Sequence, residues 1–230
     1  MIVTEPPRPV TCFVRRQKKR LLRYMSEGLR LSSLGLFAVG PVVAVLALLR
    51  RGLKPSATLS RIKGWRWYVP VVLLPVEWLL PPALIAFRVG EIEAGWLPAR
   101  VVGLVVGVTG AVLLVWASVL LGRLMMHEAA IREDHALIES GPYRFVRHPV
   151  YTGYLALLLG SGVASLNVCL LLLWPVSLLG ILIQAASEDQ LLGARFGRDY
   201  ERYVGRIGRL VPRCWSRAAE PRVAPDPRRQ

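Results

Sequence analysis

The sequence predicts an all-α integral membrane protein: about five transmembrane helices, with a C-terminal helical hairpin and a cytoplasmic amphipathic C-terminal helix. Three observations predict it. Hydrophobic residues make up 53% of the 230-residue chain, which nevertheless carries a formal net charge of +15. The apolar residues gather into runs of about 20, the length that crosses a hydrocarbon core of roughly 30 Å. Lysine and arginine collect between those runs, where they follow the inside-positive bias and attract anionic lipid. Basic charge laid out in this way points to a membrane surface. No basic stretch interleaved with aromatics sits on a recognisable binding module, so no nucleic-acid partner is expected.

Residues 1–30 contain prolines and then a strongly basic stretch, RRQKKRLLR. This predicts a disordered start followed by a helix lying on the membrane surface. Charged residues up to Arg30 precede an apolar run of membrane length rather than the short core of a signal peptide, so the segment is expected in the mature protein. Apolar runs then follow over 31–49, 68–87, 101–122, 151–165 and 168–186. Only Leu166 and Asn167 separate the last two, which predicts a tight hairpin with its tip on the far side. The chain thus divides into a basic N-terminal segment (1–30), accessory helices (31–99), a membrane core (100–213) and a disordered tail (214–230).

Loop charge sets the orientation. The loop 50–67 holds six Lys or Arg, 123–147 holds four and the chain after Ala186 holds ten, against two in 88–100 and none at the hairpin tip. The rich loops are expected in the cytoplasm. Residues 11–30 disagree: they hold seven Lys or Arg, yet five crossings would put them outside. The run 31–49, interrupted by Gly40 and Pro41, either crosses as a proline-containing helix or enters and returns on one side.

Gly103, Gly107 and Gly110 in the third run predict a close helix contact, within the chain rather than between chains. Glu77 in the second run is a carboxylate at membrane depth, expected to face the bundle interior, as a functional group or as a protonated partner of a neighbouring helix. Cys12, Cys169 and Cys214 stand far apart and read as plain thiols.

Nucleotide-binding glycine loops and the G-x-S-x-G elbow are missing. His127 and Glu128 begin like H-E-x-x-H, but Ile131 occupies the second histidine position, so no metal site is expected. Two blocks remain. The first, IREDHALIESGPYRFVRHPVYTG (131–153), leads into the fourth run. Gly141 and Pro142 mark a turn, and Pro149 fits a first helical turn, where a missing N–H costs nothing. His148, held extended by that proline, projects from the helix mouth, and Gly153 removes a side chain where something must come close. The second, SEDQLLGARFGRDYERYVGRIGRLVP (187–212), ends the fifth run. A hairpin returns the chain to the side it left, so Glu188 and Asp189 are expected near His148. Phe196, Tyr200 and Tyr203, with the surrounding arginines, read as an amphipathic helix on the membrane surface.

The two blocks, in order and with a two-helix hairpin between them, resemble the isoprenylcysteine carboxyl methyltransferase family, relatives of the phospholipid N-methyltransferases. The resemblance covers roughly residues 100–213. It implies a membrane-embedded methyltransferase that uses S-adenosyl-L-methionine in a pocket open to the cytosol and takes a lipophilic acceptor from the bilayer. By the same resemblance His135, Leu137 and Ile138 line the cofactor. Tyr143 packs on it, and His148, Pro149 and Tyr151 wall the head of the fourth run. Glu188 is the acid on the acceptor side, with Gln184 one turn before it. A sulfonium with an amino-acid tail needs aromatic faces, a carboxylate and donors, and Tyr143, Tyr151, Glu188, Arg147 and His148 are those types. Gly141 and Gly153 serve close approach. His148 and Glu188 are the candidates for taking a proton from an amine or thiol, whereas a carboxylate acceptor needs no base.

Three positions depart from the family's prenylcysteine-specific pattern: Gln184 stands for an arginine, Glu128 for a glutamine and Asp189 for a glutamate. The acceptor stays open among a prenylcysteine-like carboxylate, a lipid amine and a hydrophobic thiol. Two other readings remain, an NADPH-dependent membrane enone or sterol reductase and a non-catalytic membrane scaffold. Membrane lipids are the expected surroundings, with no protein partner, and the cytoplasmic (inner) membrane is the expected location.

Overall fold

A backbone that crosses lipid has to satisfy its own hydrogen bonds, and helices do this within one segment. The computed structural model describes residues 10–42, 58–61, 68–92, 96–121, 130–132 and 137–213, and over these it is mostly helical. Helix α1 spans Val10–Leu36 and α2 spans Tyr68–Ala86. Helix α3 spans Leu97–Leu121, α4 Pro149–Ser165, α5 Val168–Phe196 and α6 Arg198–Arg206. Among the described residues, the departure from an all-α chain is one short antiparallel strand pairing, of Thr58–Arg61 with Ala130–Arg132.

Among the described residues, α3 and α5 are long and apolar enough to cross a membrane, and residues Val76–Ala86 of α2 form a shorter apolar stretch. The outward faces of α3 and α5 carry large apolar side chains such as Val102, Val105, Leu172 and Leu179, each at least 60% exposed. Water does not support so continuous an apolar surface, whereas lipid does. The interior is built from small residues instead. The most extensive interface is α3 against α4, and the glycines explain it. A Cβ at Gly110 would lie 2.5 Å from the Leu157 nitrogen, one at Gly103 2.5 Å from the Ala164 nitrogen, and one at Gly160 2.5 Å from the Gly107 Cα. The glycines of α3 therefore serve contact within the chain, as expected.

The hairpin between α4 and α5 turns on two residues. Leu166 takes a left-handed conformation (φ 50°) as the cap of α4, and the Asn167 side chain accepts from Leu170 N to cap α5. Asn167 also donates to the Val89 carbonyl at 2.9 Å, while Ile92 N and Val168 N bond across to Leu166 O and Gly90 O. The buried Arg100 donates to the carbonyls of Ala164 and Ile92. The α2–α3 connection is thereby bound to the hairpin tip.

Helix α1 runs without interruption through residue 30, so the basic segment and the first apolar run begin as one helix. Its regular hydrogen bonding stops at Phe37 and Ala38, four and three residues before Pro41. Pro41 lacks the N–H that would bond to the Phe37 carbonyl, and its ring crowds that group. Arg30 donates to Ile85 O, and Glu27 pairs with Arg88. Further along, Phe37 meets Trp78 edge-on at 6.4 Å. The basic half of α1 thus lies at the hairpin-tip end of the bundle, opposite His148. Residues 43–57, and with them the end of the predicted first span, lie outside the described residues, as do 1–9 and 214–230.

Candidate active site

The first block starts with a tight turn. Gly141 has φ +59° and opens a 3₁₀ turn over Gly141–Arg144, a conformation that costs glycine least. The chain then runs alongside the C-terminal segment: Val146 bridges Gly208 in parallel, Arg147 N donates to Gly208 O at 2.8 Å, and His148 N donates to Arg209 O at 3.1 Å. Pro149 starts α4, and Thr152 in its first turn donates to Leu210 O at 2.8 Å. The predicted meeting of the two sequence blocks is therefore made by backbone as well as by side chains.

His148, 7% exposed, stands between two carboxylates. Its Nε2 lies 2.9 Å from Asp189 Oδ1, and its Nδ1 lies 3.4 Å from Glu188 Oε2. Tyr151 stacks on its ring at 5.6 Å and donates its hydroxyl to Glu188 Oε1. Gln184, one turn earlier on α5, donates to the same oxygen at 3.1 Å. Asp189 also receives the Tyr200 hydroxyl, Arg209 Nε at 2.9 Å and the Arg147 guanidinium at 3.3 Å.

Burial pushes the His148 imidazole toward the neutral form, but the hydrogen bonds and charges of Asp189 and Glu188 outweigh it, so its pKa is raised. Burial alone would raise Asp189. Hydrogen bonds from His148 and Tyr200, with the positive charges of His148 and Arg147, lower it to about 2. Burial, with the nearby Glu139 charge, pushes Tyr203 up to about 12, so it stays a phenol and donates to Tyr143 O at 2.6 Å. The cluster sets the imidazole between two carboxylates, which favours its protonated form, with two guanidinium groups on the Asp189 side.

Of the predicted site residues, His148, Tyr151, Gln184 and Glu188 come together in direct contact, with Arg147 beside them through Asp189. Pro149 is buried at the start of α4. Tyr143 is buried behind the turn, with its hydroxyl directed to Ala117 O at 3.4 Å. Leu137 and Ile138 are half-buried, and His135 lies outside the described residues. Gly141 approaches Leu120, and the close approach at Gly153 is to α3, where a Cβ would lie 2.7 Å from Gly110 O and Leu114 N. At both glycines the near neighbour is α3.

Sequence reasoning missed the weight of Asp189, Arg209, Tyr200 and Tyr203. The sequence predicts an amphipathic helix on the membrane surface here, and in the structure Tyr200 and Tyr203 are each 3% exposed and turned into the protein. The chain also breaks at Gly197 (φ +52°), so α6 is a separate nine-residue helix. Its arginines Arg202 and Arg206 are the exposed side. The available signal was Gly197 itself, a helix stop placed between Phe196 and Tyr200.

Residues 101–192 match the model of the isoprenylcysteine carboxyl methyltransferase (ICMT) family. A protein of Oryza sativa subsp. japonica named probable protein-S-isoprenylcysteine O-methyltransferase is 31% identical over 132 residues, 53% of this chain and 65% of that protein. Protein-S-isoprenylcysteine O-methyltransferase B of Arabidopsis thaliana is 29% identical over 168 residues, 68% of this chain and 79% of its own length. The chain thus spans just under two thirds of the rice relative. A solved structure described as the eukaryotic intramembrane Ras methyltransferase ICMT, without a monobody, aligns at 23% identity with a TM-score of 0.44, over 66% of this chain and 54% of that one.

Proposed function

From the match of residues 101–192 to the model of the isoprenylcysteine carboxyl methyltransferase family, we propose that the chain is a membrane-embedded, S-adenosyl-L-methionine-dependent methyltransferase of a lipophilic acceptor. The observation that carries the reading is the junction of His148 and Tyr151 with Glu188, which joins residues about forty apart in sequence at one end of the helix pair. In this reading residues 100–213 are the catalytic core, 31–99 are accessory helices and 1–30 a basic appendage. The site opens to the cytoplasm from the inner membrane.

The residues present fit the cofactor. The buried Arg147 Nε has no hydrogen-bond partner among the described residues, nor does Ser118 Oγ beside the Ala117 carbonyl that Tyr143 meets. Such orphaned donors suit the carboxylate and hydroxyl groups of an amino-acid nucleoside. Tyr143 and Tyr151 offer aromatic faces for a sulfonium, with Glu188 as the nearby anion. Leu137, Ile138 and His135 precede the turn and would line the cofactor. The cofactor supplies an electrophilic methyl group; the protein's part is to align the acceptor and keep water out, so no covalent enzyme intermediate is needed. Glu188 and Gln184 face the acceptor, and Glu188 or His148 takes a proton where the acceptor has one to lose.

The test is to incubate membranes containing the protein with radiolabelled S-adenosylmethionine, then extract and separate labelled lipids and volatiles. Label that depends on His148 and Glu188 is expected, and base-labile label would identify a methyl ester. Isothermal titration of the purified protein should show binding of S-adenosylhomocysteine and not of NADPH. The opposite pattern would select the reductase reading.

A further inference from the structure

Two neighbouring carboxylates at the end of α5 are treated in opposite ways. Asp189 faces two guanidinium groups, Arg209 at 2.9 Å and Arg147 at 3.3 Å, and shares the His148 imidazole, at 2.9 Å, with Glu188. Glu188 is met by two neutral donors, the Tyr151 hydroxyl and the Gln184 amide, and shares the other nitrogen of His148 at 3.4 Å. Both guanidinium groups that reach Asp189 come from outside the membrane-spanning part of the hairpin. Glu188 instead belongs with Gln184, one turn back toward the apolar stretch of α5. Its side chain is also the more accessible, 23% exposed against 12% for Asp189.

We infer that the head group received at Glu188 is a cation, a primary or secondary amine carried on a long hydrocarbon chain. The inference rests on the methyltransferase reading for its purpose, while the binding it describes stands on the contacts of Glu188. A carboxylate head group here would bring a second anion against Glu188, which shares its imidazole with Asp189 and has no guanidinium in contact to offset it, and like charges repel strongly where water is scarce. An ammonium group gains a charge-assisted hydrogen bond to the same oxygen. It also answers a chemical need: an ammonium nitrogen has no lone pair to offer. Passing one proton from nitrogen to a Glu188 oxygen leaves the lone pair on nitrogen and a neutral carboxylic acid on the protein. Gln184 acts as the selectivity residue. An arginine in its place would neutralise Glu188 and provide a fork for a substrate carboxylate.

The experiment uses the full chain in lipid nanodiscs at neutral pH, with hexadecylamine, hexadecanoic acid and hexadecanethiol as probes and bound ligand counted by native mass spectrometry. Hexadecylamine is expected to bind about tenfold tighter than the acid or the thiol, Glu188→Gln to remove that preference, and Gln184→Arg to reverse the order of amine and acid. A wild-type preference for the acid or the thiol, or an amine preference that survives Glu188→Gln, overturns the inference. Titration with S-adenosylhomocysteine in the same preparation separates the two levels. Retained binding without amine preference removes the head-group assignment alone, whereas absent binding in the wild type removes the methyltransferase reading.

Discussion

The two ends of the α4–α5 hairpin bury polar groups for different purposes. At the tip, Asn167 caps a helix and bonds to Val89 O, while Arg100 reaches the carbonyls of Ala164 and Ile92 at 3.3 and 3.4 Å. Most partners there are backbone groups, which exist whatever the sequence, so the tip is an arrangement for closing the fold. At the other end His148, Glu188, Asp189, Arg147, Arg209 and Tyr200 meet side chain to side chain. Concentrating ionised groups in one partly buried corner is costly and is favoured where their charge is used. The difference teaches where to look for chemistry: at the end whose polar partners had to be chosen residue by residue.

The largest effect that would sharpen this contrast is expected at Asp189. Asp189→Ala leaves two guanidinium groups and an imidazolium facing one another, and breaking a buried ion pair from one side costs about 3–5 kcal/mol. The variant should melt well below wild type in detergent-solubilised thermal denaturation. Asp189→Asn, which keeps the hydrogen bonds and loses the charge, should fall between. A melting temperature unchanged in Asp189→Ala would mean that the cluster does not hold this end together.

The pH dependence of the site end follows from the same charges. The folded pKa of His148 lies above its unfolded value of about 6.5. Its contribution to stability is therefore fully present below pH 6.5 and is lost as pH rises through the higher folded value. Asp189, lowered to about 2, contributes above its unfolded value and loses that contribution as pH falls through about 2. Thermal melts from pH 6 upward should decline in the wild type and decline less in His148→Phe. Equal slopes would remove the imidazolium from the account. The tip, with no such titrating histidine among the described residues, should not add to the slope.

A good part of this organisation was legible in the sequence. Pro149 marked the start of α4, Leu166 and Asn167 marked the tip, and a two-helix return guaranteed that Glu188 would come back to His148. The glycines of α3 announced a close contact without naming the partner, which proved to be α4. Asp189 was seen only as a neighbour of Glu188, because its weight comes from Arg147, Tyr200 and Arg209, up to 42 residues away, and local periodicity carries no record of partners. The partners of Tyr200 and Tyr203 were hidden for a related reason. A stripe of aromatics reports that one helix face is buried and leaves open whether protein or lipid covers it. The sequence splits the basic N-terminal helix from the apolar run at residue 30, although helix formers continue across that point and the first break comes only after Leu36, ahead of Pro41.

At the tip, a smaller effect is expected from Asn167. Asn167→Ala removes the cap of α5 and the bond to Val89 O, a loss of about 1–2 kcal/mol that thermal denaturation would register. Binding of S-adenosylhomocysteine should stay unchanged, since the proposed cofactor site lies at the other end. A selective loss of binding with intact stability would make the two ends coupled rather than separate.

The smallest effect, and the sharpest test of the comparison, is Arg100→Met. Arg100 is as deeply buried as any charged residue at the site end, 3% exposed, but its hydrogen bonds are long and its ion pair with Glu91 stands at 3.9 Å. Its Nε and the Glu91 Oε2 have no partner among the described residues. An ion pair held this loosely gains little to offset the desolvation of two charges, and a well-packed apolar chain of similar length replaces such pairs at little cost. Because Arg100→Met alone would strand Glu91, the comparison uses the double variant Arg100→Met with Glu91→Gln, expected within about 1 kcal/mol of wild type. A double variant as unstable as Asp189→Ala would show that the tip depends on its buried charge as much as the site end does, and the distinction between a closing end and a working end would fail.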